Sequence, residues 1–518
     1  MADRLSEINR NWTALRRRAD RSPDPELLHG SFVQAEYFLP ACESDSMVLF
    51  GRRGAGKTHT LLELEHLTRA DGNVPVYVDM RRLGSNSGIY DNPEVPFATR
   101  ASRLLIDLVE VIHETLFQLS LSGGIGELDL AKLGPALDDL GEASTQIRVR
   151  GTIAITRGAS SKSSRGKSKT AGIHLARSDP ALDISISGTH EQDQEDSFSL
   201  TREGTEDFYV HLGSLESAVE RVCHALEGRY LWLLIDEWSE AIPYELQPVL
   251  ADMLRRTFMR FPSVTIKIMA IEHRSNFRQP SGRGGYIGLE LGADTAETVS
   301  LDEALTIGDD GARTTDFIQR LLCEHFVAAA RERRNWAMSG MTPDEIMRSS
   351  FQASAFKTLV YASEGNPRDA MNLASKAARA AGARIVVTRH VLIAANSYFW
   401  NTKYKNIEGD RGLESLFQQV LQRSLERGRR TFLVARIDHR RPLYNKLYDQ
   451  RLIHLLKSGI RNPADGTAFD GYAIDFGSYA DRILGGSLRW TNDGWASARS
   501  FFVNDHDPEW RDAIVDRR

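Results

Sequence analysis

Cysteine is scarce in this sequence: Cys42, Cys223 and Cys323 are the only three, far apart and without C-x-x-C spacing. By themselves they form neither a disulfide framework nor a zinc site, so a reducing cytoplasm is the expected compartment. No run of about 18 apolar residues occurs, which leaves no candidate membrane-spanning helix. The opening Met-Ala-Asp-Arg-Leu-Ser-Glu has neither a cationic nor an apolar leader region, so a soluble chain with no membrane partner is expected. Charge of one sign is not in large excess either. A formal net charge of −5 excludes a protein that is basic throughout and coats nucleic acid, and confines any such surface to a local patch. H-E-x-x-H, G-x-S-x-G and metal-spaced Cys/His clusters are absent, so the common signatures of metalloprotease and serine-hydrolase chemistry are missing. With 41% hydrophobic and 26% charged residues over 518 positions, composition is that of a globular protein, and the length suits about two to four domains.

The most informative stretch is Ser-Met-Val-Leu-Phe-Gly-Arg-Arg-Gly-Ala-Gly-Lys-Thr at 46–58. An apolar run that suits a buried strand feeds a glycine-rich turn of the pattern G-x-x-x-x-G-K-[ST], a Walker A phosphate loop. Gly51, Gly54 and Gly56 let the backbone curl until successive N–H groups face an anion, and the helix starting at Lys57 adds its positive end. Lys57 would reach the β- and γ-phosphates of ATP, and Thr58 would offer its hydroxyl to Mg2+. The expected nucleotide contacts are Gly51, Arg52, Arg53, Gly54, Ala55, Gly56, Lys57, Thr58 and His59.

The element pattern around this loop implies an α/β fold. Val74–Met80 reads as a second strand and 100–121 as a long amphipathic helix, and alternation of strand and helix implies a doubly wound parallel sheet. Arg229-Tyr-Leu-Trp-Leu-Leu-Ile-Asp-Glu237 is a buried strand ending in two acids, the Walker B pattern, expected to lie beside the first strand. Asp236 would hold the metal, and Glu237 would orient and deprotonate the attacking water. Val264–Ile271 is a further strand, whose tip offers Glu272 or His273 to the γ-phosphate, the choice between them open. Arg274, Arg278 and Arg283 follow and are candidates to act in trans on a neighbouring subunit of a homo-oligomer.

Further on, Asn366-Pro367-Arg368 reads as the capped start of a lid helix that brings Arg368 to the phosphates. The expected organisation is an N-terminal helical segment 1–45, an ATPase core 46–122 and 208–305, an insertion 123–207 with a β-element and flexible basic and acidic loops, a lid 306–405, a module 406–485 and a tail 486–518. Within the module, Leu413–Arg427 reads as a helix, Thr431–Ala435 as a strand, Leu443–Leu456 as a second helix and Phe469–Asp475 as a strand. Gly409–Arg461 holds twelve Lys/Arg against five acids, the local excess that binding a phosphate backbone requires.

The phosphate loop, the acidic pair, the strand ending at Ile271 and Gly365-Asn-Pro-Arg-Asp-Ala370 together resemble AAA+ P-loop ATPases of the origin-recognition and initiator-like group. The runs Leu-Ile-Asp-Glu-Trp-Ser at 234–239 and Gly-Leu-Glu-Leu-Gly-Ala-Asp at 288–294 resemble a bacterial branch of that group. The resemblance implies an ATPase using ATP and Mg2+, with Arg368 as the lid arginine that serves as second sensor and a C-terminal winged helix. It also implies a first sensor of Asn, Ser or Thr, where this chain has Glu272 and His273. DNA is the partner such a module implies. Winged helices also dock proteins, so a signalling ATPase that holds an effector, as in bacterial defence systems, is the alternative.

Overall fold

The computed structural model describes residues 2–488 apart from 20–23, 84–89, 123–129, 145–146, 159–196, 209, 283, 303–310, 427–429 and 463–465. The cationic loop with Lys162, Arg165, Lys167 and Lys169, the acidic stretch 191–196, the run 184–186, Arg283 and most of the tail lie outside the described residues. Among those described, no helix is long and apolar enough to cross a membrane.

Helix α1 (Ala2–Thr13) precedes the core. Strand β1 (Met47–Phe50) leads through the phosphate loop into α2 (Lys57–Ala70). Then come β2 (Val74–Asp79), α3 (Phe97–Ser122), the antiparallel pair β3 (Ile147–Gly158) and β4 (Ser197–Phe208), α4 (Leu212–Ala225) and β5 (Leu231–Asp236). Helix α5 (Gln247–Thr257), β6 (Val264–Ala270), a short hairpin of β7 (Arg278–Pro280) and β8 (Tyr286–Gly288), and β9 (Val299–Ser300) complete the core.

Five parallel strands form the sheet in the order β2-β5-β6-β1-β9. Both faces are covered, which is why the strands are largely apolar, with Thr265 and Lys267 of β6 as buried exceptions. Val48, Val76, Leu233 and Ile268 face one core with α3, α4 and α5, while Met47, Leu49, Leu234 and Met269 face another with α2. Pro75 is tolerated because β2 is the edge strand. The acidic strand does not adjoin β1 as the sequence suggested, since β6 runs between them. A helix over Leu130–Ser144 also escaped the sequence pattern. Pro135 inside it reads as a breaker, yet buried Leu133, Leu137 and Leu140 hold it in the core.

The region expected to form a lid includes α6 (Gly311–Glu332) and α7 (Pro367–Ala381). As the sequence implied, Asn366 caps α7 by accepting from the Asp369 N–H at 3.2 Å, and Pro367 opens it. The following module has α8 (Arg411–Glu426), β10 (Thr431–Ala435), α9 (Arg441–Asp449), β11 (Ile453–Arg461) and β12 (Ala468–Ile474), with an antiparallel sheet in the order β10-β12-β11. The expected second helix was too long by a turn and more. Arg451 takes a positive φ of 60°, which ends α9 and turns the apolar residues Ile453 and Leu455 into strand.

Candidate functional site

The phosphate loop is shaped by Gly54 and Gly56, whose φ values of 88° and 102° suit glycine. Gly56 stands at the N-cap of α2, aiming the helix's free N–H groups into a cavity of about 430 Å³. That is within the range of small-molecule sites. Arg53, Gly54, Ala55, Gly56, Lys57, Thr58 and His59 line it, as do Glu237, Glu240, Arg81 and Arg368. Lys57 is buried and bends back, its Nζ donating to the carbonyls of Gly51 at 2.8 Å and Arg52 at 3.2 Å.

Asp236, fully buried at the end of β5, accepts from the Thr58 hydroxyl at 2.7 Å and from the Tyr77 hydroxyl at 3.0 Å. A hydroxyl and a carboxylate are hard oxygen donors, the chemistry Mg2+ prefers, so the pair fits that ion. Glu237 follows in a left-handed conformation, φ 59°. Burial, with Asp236 and Glu240 nearby, pushes its pKa up to about 7, while Lys57 and Arg81 pull against the rise. Arg81 NH1 lies 3.2 Å from Glu237 Oε1. Burial would raise Glu240 as well, but Arg53, donating to it at 2.6 Å, holds its pKa below the usual range.

The lid is docked on the phosphate loop. Asn366 Nδ2 donates to the Arg53 carbonyl at 3.0 Å and the Arg368 N–H to the Gly54 carbonyl at 3.3 Å. A Cβ on Gly54 would lie 2.7 Å from Asn366 Oδ1 and 2.9 Å from Arg368 Cβ. The Arg368 side chain faces the cavity with its Nε buried and lacking an acceptor.

Other expected contacts take other roles. The His59 ring bonds the Leu28 carbonyl at 2.9 Å and packs edge-on to Phe32 and His325. Burial holds His325 at a pKa of about 3, hence neutral. Neither Gly51 nor Arg52 lines the cavity among the described residues. Arg52 points the opposite way, into a buried junction of lid and C-terminal module. It donates to His454 Nδ1 at 2.8 Å and to the Glu364 carbonyl at 2.6 Å, and its backbone N–H donates to Asp302 at 2.6 Å. His454 passes Nε2 to Asp475 at 2.9 Å, which assigns its proton to Nε2. Lys403 lies 2.6 Å from Asp475 and 2.7 Å from Asp369, while Arg451 pairs with Asp369 and Arg430 with Glu364. Burial alone would raise the Asp369 and Asp475 pKa values; the surrounding cations reverse this and hold both low.

Glu272, His273 and Arg274 are not brought to the cavity. His273 lies 3.0 Å from Asp449 Oδ1 and Arg274 donates to Asp449 Oδ2 at 2.7 Å, so both are drawn to the end of α9. Arg274 is thus engaged within the chain, and Arg278 is held by Glu290 and the Tyr286 ring. The basic surplus of the module is also reduced. Arg430, Arg436, Arg440, Arg441 and Arg451 pair with acids of the chain, while Arg411, Arg423, Lys446, Lys457 and Arg461 are exposed. The sequence reading passed over Arg81 and the run Arg16-Arg17-Arg18, all of which line the cavity. Three adjacent arginines were the signal available for the latter.

No protein-family model matches the chain, and no curated protein does. Among solved structures, it is similar to the Walker-type ATPase PABY2304 of Pyrococcus abyssi at 12% identity and TM-score 0.39, covering 91% of this chain and 98% of that one. It is also similar to Drosophila ORC bound to DNA, at 12% identity and TM-score 0.30 over 90% of each chain. A third is the Aeropyrum pernix ORC1 protein in complex with DNA, at 13% identity and TM-score 0.30 over 92% of this chain and 98% of that one. At such scores, what the site can do is read from its own residues, which set a glycine-rich loop and an acidic strand end around one cavity.

Proposed function

We propose that the chain is an ATP-binding and ATP-hydrolysing switch of the AAA+ type, initiator-like in organisation, that binds DNA through residues 406–485 acting as a winged helix. The observation that carries the ATPase reading is the 2.7 Å hydrogen bond between Thr58 and Asp236, which joins the phosphate loop to the acidic strand across one cavity. Lys57 exchanges its loop carbonyls for the β- and γ-phosphate oxygens. Thr58 and Asp236 would hold Mg2+, which would supply neutralisation of phosphate charge. Glu237, poised with a pKa of about 7, takes a proton from the attacking water. Arg368 reads the phosphates from the lid, and the apolar wall around Leu28, Phe32 and Met371 receives the nucleoside. Lys57→Ala is expected to lower ATP affinity at least about 100-fold, and Glu237→Gln to bind ATP while losing about 100-fold or more in turnover. Calorimetric titration and a phosphate-release assay check both, and undiminished turnover in Glu237→Gln removes the general base.

DNA binding is supported by the exposed Arg411, Arg423, Lys446, Lys457 and Arg461, and would weaken steeply with salt. The second reading, a module that docks a partner protein, is favoured by a different observation. Ile437 is 86% exposed between β10 and α9, beside arginines already neutralised within the chain.

A further inference from the structure

The cavity has one wall that neither the phosphate loop nor the lid supplies. The chain is pinned by the buried side chains of Trp12, at the end of α1, and Leu15, just after it, and Arg16, Arg17 and Arg18 then run along the cavity. The pinning is to the lid and the helices beneath it. Trp12 Nε1 donates to Ser350 Oγ at 2.8 Å, Asn11 to the Phe326 carbonyl at 2.8 Å, and Asn9 to the Gly382 carbonyl at 2.7 Å. This N-terminal strap is thus fastened to the same body that carries Arg368.

The three arginines differ in their surroundings. Arg16 is paired with Glu332. Arg17 donates to Ser375 Oγ on α7 at 2.6 Å, and its Nε is buried without an acceptor. Arg18 is exposed along the cavity. Arg368, on the same cavity, keeps its buried Nε without an acceptor, and burial first, then Arg451 and Arg18, pull its pKa below that of an ordinary guanidinium. The nearest acid in sequence, Asp369, is already engaged by Arg451 and Lys403. A buried guanidinium N–H without an acceptor is unfavourable until an anion reaches it, and planar guanidinium groups match phosphate oxygens well.

Resting on the nucleotide reading above, we propose that Arg18 and Arg368 form a two-arginine clamp on the polyphosphate of the bound nucleotide. Arg18 comes in cis from the N-terminal strap and Arg368 from the lid. Arg17 is a positioning residue that ties the strap to α7. Phosphate charge then draws strap and lid onto the ligand together, so the clamp discriminates by phosphate number.

The test titrates the full chain with ATP, ADP and AMP in the presence of Mg2+. Arg18→Ala is expected to lower ATP affinity about tenfold, the worth of one charge-assisted hydrogen bond, ADP affinity less, and AMP affinity not at all. Arg18→Lys restores part of the ATP affinity, because it keeps the charge and loses the fork. Losses equal for all three nucleotides, or an ATP affinity within about twofold of the unsubstituted chain, overturn the clamp. Lys57→Ala in parallel separates this failure from that of the site. A chain crippled by Lys57→Ala and spared by Arg18→Ala binds ATP without the clamp, whereas an unsubstituted chain that binds none of the three has no such site. Exposure of Arg18 makes misfolding of its variants unexpected, and a thermal melt superimposable on that of the unsubstituted chain verifies this for each.

Discussion

The cavity beside the phosphate loop and the junction between lid and C-terminal module use the same residue types, and differ in how fully their cations are matched within the chain. In the junction, Lys403, Arg430, Arg451 and Arg52 each meet an acid or carbonyl of the chain. In the cavity, Arg368 faces like charge, and Lys57 has only loop carbonyls. Buried charge that is paired internally holds parts of a molecule in register; a buried guanidinium N–H left without an acceptor, as at Arg368 Nε, favours an anionic ligand. Arg52 and Arg53 show the difference between neighbours. One reaches the junction and the other the cavity wall, because successive residues of a tight loop point to opposite sides.

The comparison can be broken most severely in the junction. Lys403→Met leaves Asp369 and Asp475 without their shared cation and is expected to cost about 3–5 kcal/mol of stability, measured by denaturant unfolding. Asp475→Asn added to it should recover part of that loss, since less charge is then stranded. A smaller effect is expected at the contact between the two regions. Gly54→Ala places a Cβ in a left-handed backbone against Asn366 and Arg368, with a strain of about 1–2 kcal/mol. It should weaken ATP binding by pushing the lid away, which calorimetry would reveal. The subtlest change concerns pH. As the proposed general base, Glu237 would act only when deprotonated, so turnover should rise as pH passes upward through about 7. Arg81 pulls that pKa down, so Arg81→Ala should move the rising limb of the pH–rate profile to higher pH. An unmoved limb means that Arg81 does not act on Glu237.

Much of the site was legible in advance because it is local. A glycine pattern dictates which backbone can curl around an anion, and Asn366-Pro367 announces a helix start within three residues. The tip of β6 was misjudged for the opposite reason. Glu272, His273 and Arg274 lie near the phosphates along the chain's element order, but Asp449 draws His273 and Arg274 away, and no local pattern records a partner about 175 residues distant. The basic count of 409–461 is incomplete in a similar way: it registers charges, but not that five of the arginines are paired within the chain.

The sequence by itself determined the phosphate cradle, the acidic strand and the capped lid helix, since backbone curvature, apolar periodicity and capping act over a few residues. Tertiary structure alone decided that β6 separates β5 from β1, that Arg52 belongs to the junction, and that Arg16–Arg18 reach the cavity. Those outcomes depend on which distant surfaces come together, and the direction and worth of a charge are set by the partner and the water it finds there.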